Sequence, residues 1–111
     1  MEPITWSDFE KVHLCGGTVL AAEDLPNARK PAYVLTVDFG PHGVKRSSAQ
    51  ITTHYMKEDL VGRQVVAVIN FPPKQVGSVI SKYLITNFTN THNNIVLTNI
   101  KRHLPNKTHL I

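Results

Sequence analysis

A single cysteine, Cys15, stands among 111 residues, which excludes an intrachain disulfide and suits a reducing compartment. No apolar run approaches the roughly 18–20 residues that a membrane span requires, so no membrane insertion is expected. The opening Met1-Glu-Pro-Ile-Thr-Trp6 has neither the basic start nor the apolar core of a secretory signal. Together these absences predict a cytoplasmic protein. Carboxylates are missing from a whole half of the chain. Residues 60–111 hold six bases (Arg63, Lys74, Lys82, Lys101, Arg102 and Lys107) and no acid, whereas residues 1–59 hold eight acids against six bases. The net charge of +4 therefore hides an acidic-leaning half and a strongly basic one. A half without carboxylates leaves room for a face that accepts a polyanion, although a basic surface that only aids solubility has the same composition.

Catalytic signatures are missing as well. The six histidines (His13, His42, His54, His92, His103 and His109) show no H-x-H or H-E-x-x-H spacing and no cysteine pairing, so no metal site is predicted. There is no G-x-S-x-G and no glycine loop to cradle a phosphate. Ser47 and Ser48 would act as nucleophiles only beside a histidine and an acid supplied by the fold. No catalytic residue and no cofactor are expected. Cys15, next to Gly16-Gly17, reads as a buried and inert thiol.

What the chain does contain is the pattern of a small β domain. With 41% hydrophobic and 18% charged residues, its length suffices for one domain over 1–111 with a single core. Ser7-Asp-Phe-Glu10 has the form of a capping box and predicts a short helix over 7–12. Strands are predicted at 18–22, 32–39, 44–51, 64–70, 76–80, 83–85 and 95–100, from β-branched and aromatic runs bounded by turn residues. The segment 53–60 reads as a helix ending at Gly62, and 86–94 as a polar loop. Pro72-Pro73 stops the strand before it, since proline cannot donate to a ladder. The element order, with a short helix between the third and fourth strands, predicts an all-β, five-stranded OB-fold barrel with its core at about 13–100.

Two polar stretches end apolar runs: Arg46-Ser-Ser-Ala-Gln-Ile-Thr52 and Ile69-Asn-Phe-Pro-Pro-Lys-Gln-Val76. The hydroxyls and amides of Ser47, Ser48, Gln50, Asn70 and Gln75 both donate and accept, and Lys45, Arg46 and Lys74 add charge. Such a set suits phosphates, base edges or the amides of an extended peptide. The same residue types also satisfy strand ends and turns. Of the eight aromatics, Phe71 and Phe88 alone fall outside apolar runs, so stacking of successive bases along a strand has little support.

Taken in order, Pro26-x-Ala-Arg-Lys-Pro-Ala-Tyr33, Val37-Asp-Phe-Gly40, Lys45-x-Ser-Ser-Ala-Gln-Ile-Thr52, Leu60-x-Gly-Arg-Gln-Val-Val-Ala-Val68 and Asn70-Phe-Pro-Pro-Lys-Gln75 closely resemble the CsaA-type chaperones. These are small bacterial and archaeal proteins linked to protein export. They lie within a tRNA-binding domain family that includes the C-terminal module of many methionyl-tRNA synthetases and the endothelial monocyte-activating polypeptide II group. The resemblance implies a homodimer assembled through the N-terminal helix and the tail 101–111. It also implies apolar pockets for unfolded or presequence-containing polypeptides and a basic barrel face tied to tRNA. The implied binding residues are Lys30, Lys45, Arg46, Ser47, Ser48, Gln50, Asn70, Phe71, Lys74, Gln75, Ser81 and Lys82. The chain departs from the family at His13-Leu-Cys-Gly-Gly17, where Asp-Ile-Arg-Val-Gly is usual. It departs again at Lys82, where an acid is common, at the Asn-rich loop 87–94, and at Lys107 in place of glycine.

Overall fold

The computed structural model describes residues 1–110; Ile111, the second apolar residue ending the tail, lies outside the described residues. The strands are β1 (Leu14–Asp24), β2 (Tyr33–Asp38), β3 (Val44–Ala49), β4 (Gln64–Val68), β5 (Lys74–Val76), β6 (Val79–Ser81), β7 (Leu84–Ile85), β8 (Asn87–Thr89) and β9 (Ile95–Leu97). Two short helices, α1 (Trp6–Glu10) and α2 (Lys57–Leu60), and one 3-10 turn at Gly40–His42 complete the elements among the described residues. Five strands form an antiparallel sheet in the order β3-β2-β1-β4-β7, and β5-β6 and β8-β9 are separate hairpins.

β1 serves two partners. Its first half pairs with β4 and its second with β2, and the register slips between Val19 and Ala21. A bulge of this kind bends and twists a strand, which lets one long strand turn the corner of a barrel. Gly17 lies on the inside of the curve. A Cβ there would come within 2.6–2.7 Å of Phe39 and Val37 side-chain atoms, so the packed interior admits only glycine.

Closure comes from β3 meeting the chain just ahead of β7. The Lys82 amide donates to the Arg46 carbonyl at 3.1 Å, the Ser47 hydroxyl donates to the Tyr83 carbonyl at 2.7 Å, and the Ser48 amide donates to Ser81 Oγ at 3.1 Å. The result is an OB-type barrel whose interior is filled by Leu35, Val37, Phe39, Ile51, Val65 and Ala67. Helix α2 lies between the third and fourth strands, as the element order predicts, and inserts the fully buried Leu60 into this core. No helix among the described residues is long and apolar enough to cross a membrane.

Four local expectations are corrected. The capping box is Thr5 with Asp8, not Ser7 with Glu10; the helix starts earlier and takes in Trp6, whose ring lies 5.7 Å from that of Phe9, one turn on. The helix expected over 53–60 contracts to 57–60. The strand expected over 76–80 is a hairpin, because Gly77 adopts φ +58° and turns the chain between Val76 and Val79. The polar loop 86–94 contains β8, paired with β9, with its tip held by Asn90 Oδ1 accepting from the amides of His92 and Asn94. Turn chemistry, not hydrophobic period, decided the last two.

The tail folds back onto its own barrel. The Lys107 amide donates to the Gly16 carbonyl, the Gly16 amide to the Thr108 carbonyl, and the Leu110 amide to the Leu14 carbonyl. Gln64 bonds both the amide and the carbonyl of Leu104, at 2.9 and 2.6 Å. Helix α1, by contrast, buries none of its residues.

Candidate binding site at the barrel seam

The closing seam carries a depression on each side. One, with a volume of about 360 Å³, is lined by Ser47, Ser48, Phe71, Pro72, Lys74, Val76, Ser81, Tyr83 and Leu84. Its walls are mainly apolar, with Phe71 and Leu84 each about half exposed. The other is lined by Val44, Lys45, Arg46, Ser78, Val79, Ile80 and Lys82. Neither lining includes a carboxylate or a histidine.

The twelve residues picked from sequence therefore divide. Lys45, Arg46 and Lys82 meet in one groove, and Ser47, Ser48, Phe71, Lys74 and Ser81 meet in the other. The Lys82 amide donates to the Arg46 carbonyl while the adjacent Ser81 takes the Ser48 amide, which ties the two groups to one seam. Lys30 lines neither depression; its loop packs on the β5-β6 hairpin through Leu25 and Ala28. Gln50 is exposed just after β3, outside both linings. Gln75 closes its own turn by donating to the Gly77 carbonyl at 2.7 Å. Asn70 works elsewhere: its side chain accepts from the His13 amide at 3.0 Å and donates to the Lys11 carbonyl at 2.7 Å, fastening the link between α1 and β1 to the chain just after β4.

Ser47 is buried with its hydroxyl committed to barrel closure, and the lining of the depression includes no histidine or acid. Pro72, Val76, Tyr83 and Leu84 were not picked from sequence. Val76 and Leu84 reach the pocket only because the Gly77 turn folds the chain back. Arg63 is taken out of the free basic set by lying over the Tyr55 ring, 5.1 Å from its centroid.

Tyr83 forms the pocket floor. Its hydroxyl donates to the Leu35 carbonyl at 2.9 Å, and its ring meets Phe39 edge-on at 5.3 Å. Burial pushes its phenol well above the ordinary tyrosine range. A folded pKa above the unfolded value of about 10 means that this stabilisation is complete below about pH 10 and is lost as pH rises beyond it. Tyr83→Phe should cost about 1 kcal/mol at neutral pH and blunt the alkaline loss of stability in denaturant melts. An unchanged alkaline limb in the variant would show that another group controls it.

A closed OB-type barrel with a basic seam and an adjoining apolar pocket defines a small binding module. Residues 14–108 match the family described as "Putative tRNA binding domain". The chaperone CsaA of Bacillus anthracis is 43% identical, with a TM-score of 0.93 and coverage of 99% of this chain and 100% of that one. The CsaA chaperone of Picrophilus torridus is 35% identical, with a TM-score of 0.90 over 98% and 100% of the two chains. The methionine–tRNA ligase of Methanocaldococcus jannaschii is 32% identical over 102 residues, covering 92% of this chain. The chain spans only 15% of that ligase, and 11% of the similar one from Thermococcus onnurineus. The chain belongs to the CsaA-type branch of the tRNA-binding domain family.

Proposed function

We propose that the protein is a non-catalytic, cytoplasmic, homodimeric chaperone of the CsaA kind, which binds unfolded or presequence-containing polypeptides and serves protein export. The observation that carries the reading is the apolar pocket at the seam. Phe71, Pro72, Val76 and Leu84 surround a volume of about 360 Å³, enough for one large apolar side chain of an extended peptide. The polar atoms of Ser48 and Ser81 lie beside it, where a peptide backbone needs partners. Dimerisation is supported by α1. Trp6, Phe9 and Val12 line a groove with Leu14 and Leu110, and Trp6 and Leu110 are each more than half exposed. A second copy would cover this surface with the same surface about a two-fold axis.

Fluorescence anisotropy of a labelled, unfolded presequence-like peptide tests the pocket. Phe71→Ala is expected to weaken binding about tenfold, the loss of about 1.4 kcal/mol of buried aromatic contact. Unchanged affinity in the variant, or no suppression of client aggregation by the parent, would defeat the chaperone reading. Sedimentation of the parent as a stable monomer would defeat the dimer.

A second reading, binding of structured tRNA, is supported by the neighbouring groove. Lys45, Arg46 and Lys82 line it without an opposing carboxylate, and phosphate contacts from such a cluster should make affinity fall steeply with salt.

A further inference from the structure

The fold brings together three side chains of metal-ligating type that are far apart in sequence and outside both linings of the seam. Cys15 lies at the start of β1, His42 in the turn between β2 and β3, and His109 in the docked tail. Their donor atoms all lie within 4.8 Å of one another. The two imidazoles face each other through Nε2, 3.1 Å apart. Cys15 and His109 form a backbone bridge, which fixes the thiol and one imidazole on neighbouring strands. The thiol is buried while both histidines are exposed, so the cluster is open on one side. His13 packs edge-on against His109, with ring centroids 5.6 Å apart.

We propose that Cys15, His42 and His109 form a binding site for one divalent transition-metal ion, zinc in preference to magnesium or calcium. Tetrahedral zinc, with bonds of about 2.0–2.1 Å to nitrogen and about 2.3 Å to sulfur, places its ligand atoms about 3.3–3.7 Å apart. The histidine pair, 3.1 Å apart, needs to open by only a few tenths of an ångström to reach about 3.3 Å. Closing the thiol side requires about 1 Å of movement, which exposed imidazoles supply by rotation. A thiolate with two imidazoles is a borderline-soft donor set that suits zinc or cobalt and disfavours oxygen-seeking cations. Binding displaces the thiol proton to solvent and leaves a fourth position for water. An ion held at this site would clip the tail and the β2–β3 turn to β1.

Chelator-stripped, tag-free protein titrated with cobalt(II) tests the proposal. One equivalent is expected to bind with a thiolate-to-cobalt absorption band, zinc to displace it, and zinc to raise the melting temperature. His42→Gln and His109→Gln should each weaken cobalt binding at least about tenfold and remove the zinc-dependent rise in melting temperature, while His103→Gln behaves as the parent. Both lie at exposed positions, and circular dichroism of the stripped variants verifies their folding, so the test stands even if Cys15→Ser fails to fold. Absence of the band, or a band and affinity that survive His109→Gln, would overturn the site. Neither readout depends on peptide or tRNA binding.

Discussion

Removal of residues 104–111 is expected to unfold the barrel or to leave it barely stable at room temperature. Besides the His42–His109 contact, six hydrogen bonds hold the described part of the tail to the body: the backbone bonds to Leu14 and to both groups of Gly16, the two Gln64–Leu104 bonds, and Thr18 to Asn106 at 2.7 Å. At a net value of about 0.5–1.5 kcal/mol each, they amount to about 3–9 kcal/mol, against a typical stability of about 5–15 kcal/mol for a whole domain. Deletion would also uncover the apolar surface formed by Leu14, Val66 and Ile100 and leave Gln64, a buried side chain, without partners. Thermal melts and urea titration provide the measurement. A truncated chain melting within about 3 °C of the parent would mean that the tail contributes under about 1 kcal/mol.

The triple variant Lys45→Gln, Arg46→Gln, Lys82→Gln is expected to lose most tRNA affinity while retaining peptide binding. If each cation neutralises one phosphate, the slope of log affinity against log salt should fall by about 2–3 units, and affinity at low salt by at least about tenfold. The apolar pocket does not include these three side chains, so peptide affinity should stay within about threefold of the parent. Anisotropy with tRNA and with peptide, each across a salt series, separates the two readings. A triple variant that binds tRNA with the parent's salt slope would refute the phosphate role of this groove. Equal loss of peptide and tRNA would mean that one surface serves both.

The OB order was legible because it rests on properties that sequence carries directly. Gln64–Val68 is a short, continuous apolar run, Tyr33–Asp38 is rich in β-branched and aromatic residues, and Gly40 and Gly43 separate β2 from β3. The site was only half legible. Ser47 and Ser48 were readable as polar residues at a strand, but not as the groups that close the barrel. Their partners are the Tyr83 carbonyl and Ser81, more than thirty positions away. Asn70 read as a binding amide at a strand end and instead clamps the link between α1 and β1, an outcome hidden from sequence because its partners, Lys11 and His13, are distant along the chain.

Sequence alone determined the barrel class with its helix between the third and fourth strands, the acid-free half and the family pattern, since periodicity, composition and motif order are properties of the chain itself. Tertiary structure decided which polar groups are consumed in holding the barrel and which are left to face a partner. It alone assembled the Phe71 pocket, and it alone brought Cys15, His42 and His109 together from three segments. Hydrogen bonding and ligand geometry act through space, and spacing along the chain does not encode distances that folding creates.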